Sequence, residues 1–317
     1  MTKTIGSAVR VIGILLGIWL VSLANEESSA QEWRMRQVEP LPPPAADTNN
    51  VNAQTLQPSA AGQVGQEQET TDLGPQIPLR RQQPPLISLY SDSQYLFDSN
   101  VALTPHHETS DGVFFETLGA ALTPHLADQL SSAIYARQQF VLYDQQVDLN
   151  FYAQTAGLSL AYPLEDWFTL YGGFAATRLF STSDQHEFYK EFDTQLGLWH
   201  GQSLGHGLSL YYGYQFDWLA SSPSDLTEVE DALYGGINWQ IIDQWTAQFL
   251  YRFRVRDYLQ VGRTDFDHLV SLAVTFAFDR YASIRAYASY ANNDSNKNEF
   301  DYDVANVGCG VNLAVRF

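Results

Sequence analysis

Arg252, Arg254 and Arg256 occupy every second position of one segment, so on an extended chain their guanidinium groups leave the same face. Glu228 and Glu230 stand at the same spacing upstream, and Asp265 and Asp267 do so downstream. Two kinds of chemistry suit such a set. A row of guanidinium groups inside a pore holds carboxylates in two-pronged fashion and guides acidic sugars. Alternatively, the four acids pair with the three arginines in a cross-strand ladder that stiffens a wall. The ladder is the preferred reading, because like charges three abreast need compensation. In both readings Arg252, Arg254, Arg256, Glu228, Glu230, Asp265 and Asp267 line an interior space.

Other groups with chemical potential are weaker. Asp294, Asn296 and Asn298, followed by Glu299, Asp301 and Asp303, carry oxygen ligands in calcium-loop fashion but lack the glycine of such loops, so a solvated hairpin loop is expected. His106-His107 with Glu108 and Asp111 has metal-binding residue types. Adjacent side chains on a strand point apart, and a plain loop is expected there. A hydrolase needs a nucleophile, a base and an orienting group. His206 near Ser209, and the run Asp265-Phe266-Asp267-His268, each lack the remaining members. Cys309, the sole cysteine, falls on an apolar face with nothing to activate its thiol. No metal, cofactor or catalytic residue is assigned, and the chain is not expected to be an enzyme.

The elements that must hold these residues are strands. Tyr and Phe number 18 each against 2 Met, a balance that favours sheet over packed helix. After Leu86 the chain breaks into amphipathic segments separated by Gly, Asp, Asn, Ser and Pro, which predicts strands over 86–98, 112–123, 129–143, 149–162, 167–180, 189–203, 207–219, 226–241, 245–258, 264–278, 281–292 and 300–317. In the ninth, Trp245, Ala247, Phe249, Tyr251, Phe253 and Val255 oppose Thr246, Gln248 and the three arginines. The tenth sets Val270, Leu272, Val274 and Phe276 against Ser271, Ala273 and Thr275, and the seventh sets Leu210, Tyr212, Tyr214, Phe216 and Trp218 against Ser209, Gly213, Gln215 and Asp217. The second to fourth alternate less cleanly.

Connections after even-numbered strands are brief, and several after odd-numbered ones are longer. An even count of strands with this asymmetry predicts an all-β, transmembrane, antiparallel up-and-down barrel of about 12 strands, with short periplasmic turns and longer external loops. Trp167, Trp245, Phe278 and Tyr281 below, and Trp218, Tyr258 and Tyr290 above, are expected to form its interfacial girdles. A soluble sandwich or lipocalin-like barrel shows the same alternation with its apolar face turned inward. Export and loop asymmetry favour the membrane form.

Export is read from the start of the chain. Lys3 and Arg10 precede an apolar run, Val11 to Leu23, and candidate cleavage points follow at Ala24 and Ala30, so residues 1–30 are expected to be a cleaved signal peptide. From 31 to 85 the chain is rich in Pro, Gln, Ala and Asn and holds 9 of the 13 prolines, too few core-forming residues to fold. That stretch is expected to be a disordered periplasmic linker and offers a docking segment for a periplasmic or cell-wall partner. The folded unit is expected over 86–317. A net charge of −19 argues against nucleic acid as a partner.

On the last strand Val307, Cys309, Val311, Leu313, Val315 and Phe317 share one face. The segment Gly310 to Phe317 resembles the C-terminal signal read by the barrel-assembly machinery of the outer membrane, with Val311, Leu313, Val315 and Phe317 as its apolar positions. The stretch Ser289 to Asn296, with Phe300-Asp301-Tyr302-Asp303 and the terminal strand, is similar to the last hairpin of the outer-membrane β-barrel porins, a group that includes barrels linked to exopolysaccharide export. Tyr95-Leu96-Phe97-Asp98-Ser99-Asn100-Val101 resembles the first hairpin of that group. The resemblance implies a bacterial outer-membrane barrel surrounded by lipid, and carries no catalytic residue with it. Two functions stay open at this point. One is a passive porin-like channel for small polar solutes. The other is a non-conducting structural or polysaccharide-export-associated barrel that recruits a periplasmic partner.

Overall fold

The computed structural model describes residues 86–317, apart from 107, 125, 128 and 165–167. The signal peptide and linker expected over 1–85 therefore lie outside the described residues, as does Trp167 of the expected lower girdle. Twelve strands follow one another: β1 Ile87–Asp98, β2 Asp111–Leu122, β3 Ser131–Tyr143, β4 Phe151–Leu164, β5 Phe168–Ser181, β6 Glu187–Gly205, β7 Leu208–Ser222, β8 Glu228–Ile242, β9 Trp245–Tyr258, β10 Arg263–Ala277, β11 Ala282–Ser295 and β12 Tyr302–Arg316. Each pairs antiparallel with its sequence neighbours, and β1 pairs with β12 from Ser88↔Arg316 to Asp98↔Asn306. The sheet is a closed ring. Closure leaves no strand edge unpaired, the one way a sheet satisfies all its backbone groups without water. Among the described residues no helix is long and apolar enough to cross a membrane.

The two ends of the ring differ as their turn residues dictate. At the end that holds Ile87 and Arg316, β6 and β7 are joined through His206 (φ 54°) and Gly207 (φ 74°), both left-handed. That pair of conformations matches the tight hairpin turn whose twist suits flanking strands. Between β10 and β11 the Asp279 carboxylate accepts the N–H groups of Tyr281 (2.7 Å) and Ala282 (3.0 Å). At the opposite end the connection after β1 spans 99–110, and three others contain a 3-10 turn, at Val147–Leu149, Ser224–Leu226 and Asn298–Phe300, while at the first end the β2–β3 connection, 123–130, is longer than the brief turn expected there. The segment after β1 folds inward: Asn100 is fully buried, and its Nδ2 donates to the carbonyls of Thr104 (2.9 Å) and Asp303 (3.0 Å).

Side chains alternate across the wall with the strand period. Outward stand Phe249 and Tyr251 on β9, Val270, Leu272 and Val274 on β10, and Val307, Val311, Leu313 and Val315 on β12, all exposed. The phases expected for β7, β9, β10 and β12 are those observed. Trp245, Phe278, Tyr281, Trp218 and Tyr290 are exposed near the strand ends. Tyr258 is not a girdle residue. It shares the parity of Arg256, points inward and is buried at 2% exposure.

Inward-facing tyrosines lie against glycines directly across the sheet. Tyr90 covers Gly119, Tyr135 covers Gly157 and Tyr171 covers Gly197. Tyr234 and Tyr211 cover Gly213 and Gly236 in a reciprocal pair, and Tyr287 covers Gly308. Each ring occupies the space that a β-carbon on the facing strand would need, so the rings lie flat on the wall and rigidify the register. Gly197→Val should therefore cost about 1–3 kcal/mol by overpacking. Denaturant unfolding in lipid vesicles measures it. Adding Tyr171→Ala to the same chain should relieve most of the strain, and an equal loss without relief would refute the contact.

Candidate functional site

The arginine segment sits where its parity sends it, on the inner face of β9, flanked by β8 and β10. Register rows run Glu230–Arg256–Asp265 and Ala232–Arg254–Asp267 across the three strands. Arg254 Nε donates to Asp267 Oδ1 at 2.9 Å, and Arg254 Nη1 lies 3.3 Å from Glu230 Oε2. Arg256 Nε donates to the same Glu230 oxygen at 3.0 Å. Glu230 thus bridges two guanidinium groups. Arg252 and Glu228 are buried in the same patch.

Sequence reasoning missed a fourth guanidinium. Arg263, at the first position of β10, donates from Nε to Asp265 Oδ1 at 2.8 Å and through Nη2 to Asp265 Oδ2. It is held between the rings of Tyr258 and Phe300, at 4.2 and 3.7 Å to their centroids. Such sandwiching suits a guanidinium withdrawn from water. The signal was present, since Arg263 shares the parity of Asp265 and Asp267, but the expected strand began one residue late. With Arg263 counted, four carboxylates face four guanidinium groups and the patch is formally neutral. Asn293 and Tyr302 complete its edge, donating to Asp265 Oδ2 (3.3 Å) and Asp267 Oδ2 (3.4 Å). Arg256, Glu228 and Asp265 are inaccessible to water. Arg254, Arg256 and Arg263 are engaged by Glu230, Asp265 and Asp267, and Arg252 is buried beside them, which leaves no row of open guanidinium groups for a passing anion.

Beside the ladder, that half of the bore carries an apolar layer. Leu96, Val113, Phe115, Val141, Phe151 and Leu179 project inward from β1 to β5 and form one cluster with Tyr189 on β6 and Tyr258 on β9. Val101, from the inward-folded segment after β1, and Leu226, from the turn before β8, belong to it as well. Since β3 and β9 stand on opposite sides of the ring, a cluster that contains residues of both crosses the bore. Val113, Val141, Phe151 and Leu179 have no exposed surface, so no water separates them. Below this layer the inner wall turns polar, with Thr117, Ser159, Thr169, Asn238, Thr275 and Ser283, and holds the flat tyrosines.

The remaining candidates serve the fold. The Asp111 carboxylate accepts the N–H groups of Gly112 (2.8 Å), Gln145 (3.0 Å) and Gln146 (2.8 Å), pinning the β3–β4 connection. His107 lies outside the described residues. In the β11–β12 hairpin Asp301 Oδ1 accepts the N–H of Ser295 (2.7 Å) and Asn296 Oδ1 that of Thr264 (3.0 Å), while Asp303 Oδ1 receives Tyr290 Oη (2.6 Å). Their oxygens tie the loop together, and among the described residues no group of three acidic, His or Cys residues is placed to hold a metal. His206 is a turn residue, and Cys309 is exposed on the outer wall. His268 also points outward, Nδ1 2.9 Å from Tyr251 Oη, away from Asp265 and Asp267. Val311, Leu313, Val315 and Phe317 are all exposed on the outside of the closing strand.

No family model and no curated protein matches the sequence. The structure is similar to several solved barrels. They include the translocator domain of the autotransporter NalP from Neisseria meningitidis (15% identity, 75% of this chain and 91% of that one, TM-score 0.42). The NanC porin matches at 12% identity over 71% and 98%, with TM-score 0.43. An anion-selective porin from Comamonas acidovorans matches at 9% identity over 72% and 98%, with TM-score 0.40. The likeness is one of fold.

Proposed function

We propose that the chain is a bacterial outer-membrane β-barrel of channel-like architecture whose bore is shut at the external end in this conformation. The observation that carries the closure is the apolar cluster joining β1–β6 to Tyr258 across the ring. An outer wall of exposed Leu, Val, Ile and Phe around a closed sheet supports the membrane location, because hydrocarbon accepts that surface and water does not. The expected signal peptide over 1–30 and the terminal Val311, Leu313, Val315 and Phe317 fit delivery to the assembly machinery.

Solute passage in this reading requires the cluster and the segment after β1 to move aside. A polar lower bore then gives small polar solutes a path. The second reading is a barrel that never conducts and serves as a scaffold, its linker over 31–85 recruiting a periplasmic or cell-wall partner, as in export-associated barrels. Its support is that the ladder and the cluster occupy the outer half together. Planar-bilayer recording of the purified barrel tests closure. The wild-type chain is expected to stay silent at low voltage, and stable open steps from the first addition would overturn it.

A further inference from the structure

On the outer wall of β2–β5 a band of polar and small residues interrupts the apolar surface. Glu116 lies at the middle of β2 and faces outward, its carboxylate accepting Ser91 Oγ at 2.8 Å and Ser93 Oγ, two hydroxyls that also face outward from β1. One pleat below Glu116, a register row runs Leu118–Gln138–Gln154–Arg178–Lys190 across β2 to β6. The next row is Ala120–Ala136–Ala156–Ala176. Gln154, Arg178, Lys190 and the first three alanines are exposed. Gln138 is half-buried, its Nε2 covered and without a hydrogen-bond partner, and Arg178 Nε pairs with Glu187 Oε2 at 2.6 Å near the external end. By contrast the middle of β9, β10 and β12 presents Phe249, Leu272, Val274, Val311 and Leu313, and His268 there is already bound to Tyr251.

A carboxylate and amides turned toward lipid are costly, since hydrocarbon offers them no partner. Small and polar residues are what close packing between membrane elements uses. We propose that this face of β2–β5 is the contact surface between two copies of the chain within the membrane. The occupant is read from charge. An acid lies at the β2 flank, while at the β5–β6 flank Arg178 and Lys190 outnumber the one acid Glu187, with amides between the flanks. A two-fold axis parallel to the barrel, passing between β3 and β4, sets the Glu116 flank of one copy against the Arg178 flank of the other and brings amide against amide at the centre. A self-complementary patch of this kind is what an isologous dimer requires. The alanine row lets the two walls approach closely. The inference rests on the membrane reading above.

Cysteine cross-linking in outer-membrane vesicles tests it, using a Cys309→Ser background in the full chain. Ala156→Cys, beside the proposed axis, should give a dimer-mass band on mild oxidation, and Leu272→Cys on the opposite wall should not. Adding Glu116→Leu to the Ala156→Cys chain should lower the dimer band about tenfold, the scale of one lost hydrogen bond between membrane elements. Heat-modifiable gel mobility reports that each variant has folded. A folded, membrane-inserted Ala156→Cys chain that stays monomeric overturns the dimer alone. So do equal bands from both walls, or a band joined to a different protein. A chain that leaves the membrane fraction without detergent overturns the membrane reading and the dimer with it.

Discussion

Arg254→Ala should lower the unfolding free energy by about 3–5 kcal/mol, the usual cost of removing one partner from a buried ion pair. The magnitude follows from what the truncation strands. Arg254 Nε holds Asp267 and Nη1 approaches Glu230, both acids being nearly inaccessible to water. Without the guanidinium Asp267 is left with the long contact from Tyr302 Oη, at 3.4 Å. Guanidinium chloride titration in lipid vesicles reads the loss. Replacing Arg254 and Asp267 together by apolar residues of similar size should restore most of the stability, because the pair leaves as a unit, Glu230 keeps Arg256, and the pair's net contribution is small once its desolvation is counted. A double variant as weak as the single one would show that the pair stabilises on its own account.

Phe151→Ala with Leu179→Ala should convert a silent barrel into one that passes current. These neighbouring residues on β4 and β5 have no exposed surface, and both belong to the layer that crosses the bore to Tyr258. Each truncation removes about 2–5 kcal/mol of packing, so the layer becomes the least stable part of the molecule while the strand ladder is untouched. Bilayer recording should then show transient steps that the wild-type chain lacks, with heat-modifiable mobility confirming a folded ring. Silence in both chains would favour the scaffold reading.

Much of the ring was legible from residue order alone, and the places where it was not have a common cause. Around β7, β9, β10 and β12 the outer face is apolar and the inner face polar, so the alternation has one clear phase. On β2 to β5 the two faces partly exchange character. Val113, Phe115, Val141, Phe151 and Leu179 turn inward to make the seal, while Glu116, Gln138, Gln154 and Arg178 turn outward. Hydrophobic patterning measures polarity and not direction, so the strand phase is blurred there. Tyr258 was misplaced for a related reason. An aromatic residue at a strand end suggests a girdle, yet its parity with Arg254 and Arg256 already sends it inward. The seal itself needs contacts between β1–β6, β9 and the segment after β1, which no local pattern encodes.

The claim beneath all of this is that lipid, not water, covers the outside of the ring. Withdrawing detergent from the purified chain and following it by sedimentation tests that most directly. Loss of the monomer to aggregates is predicted, reversed when lipid vesicles are present. A chain that sediments as a folded monomer in plain buffer would contradict it.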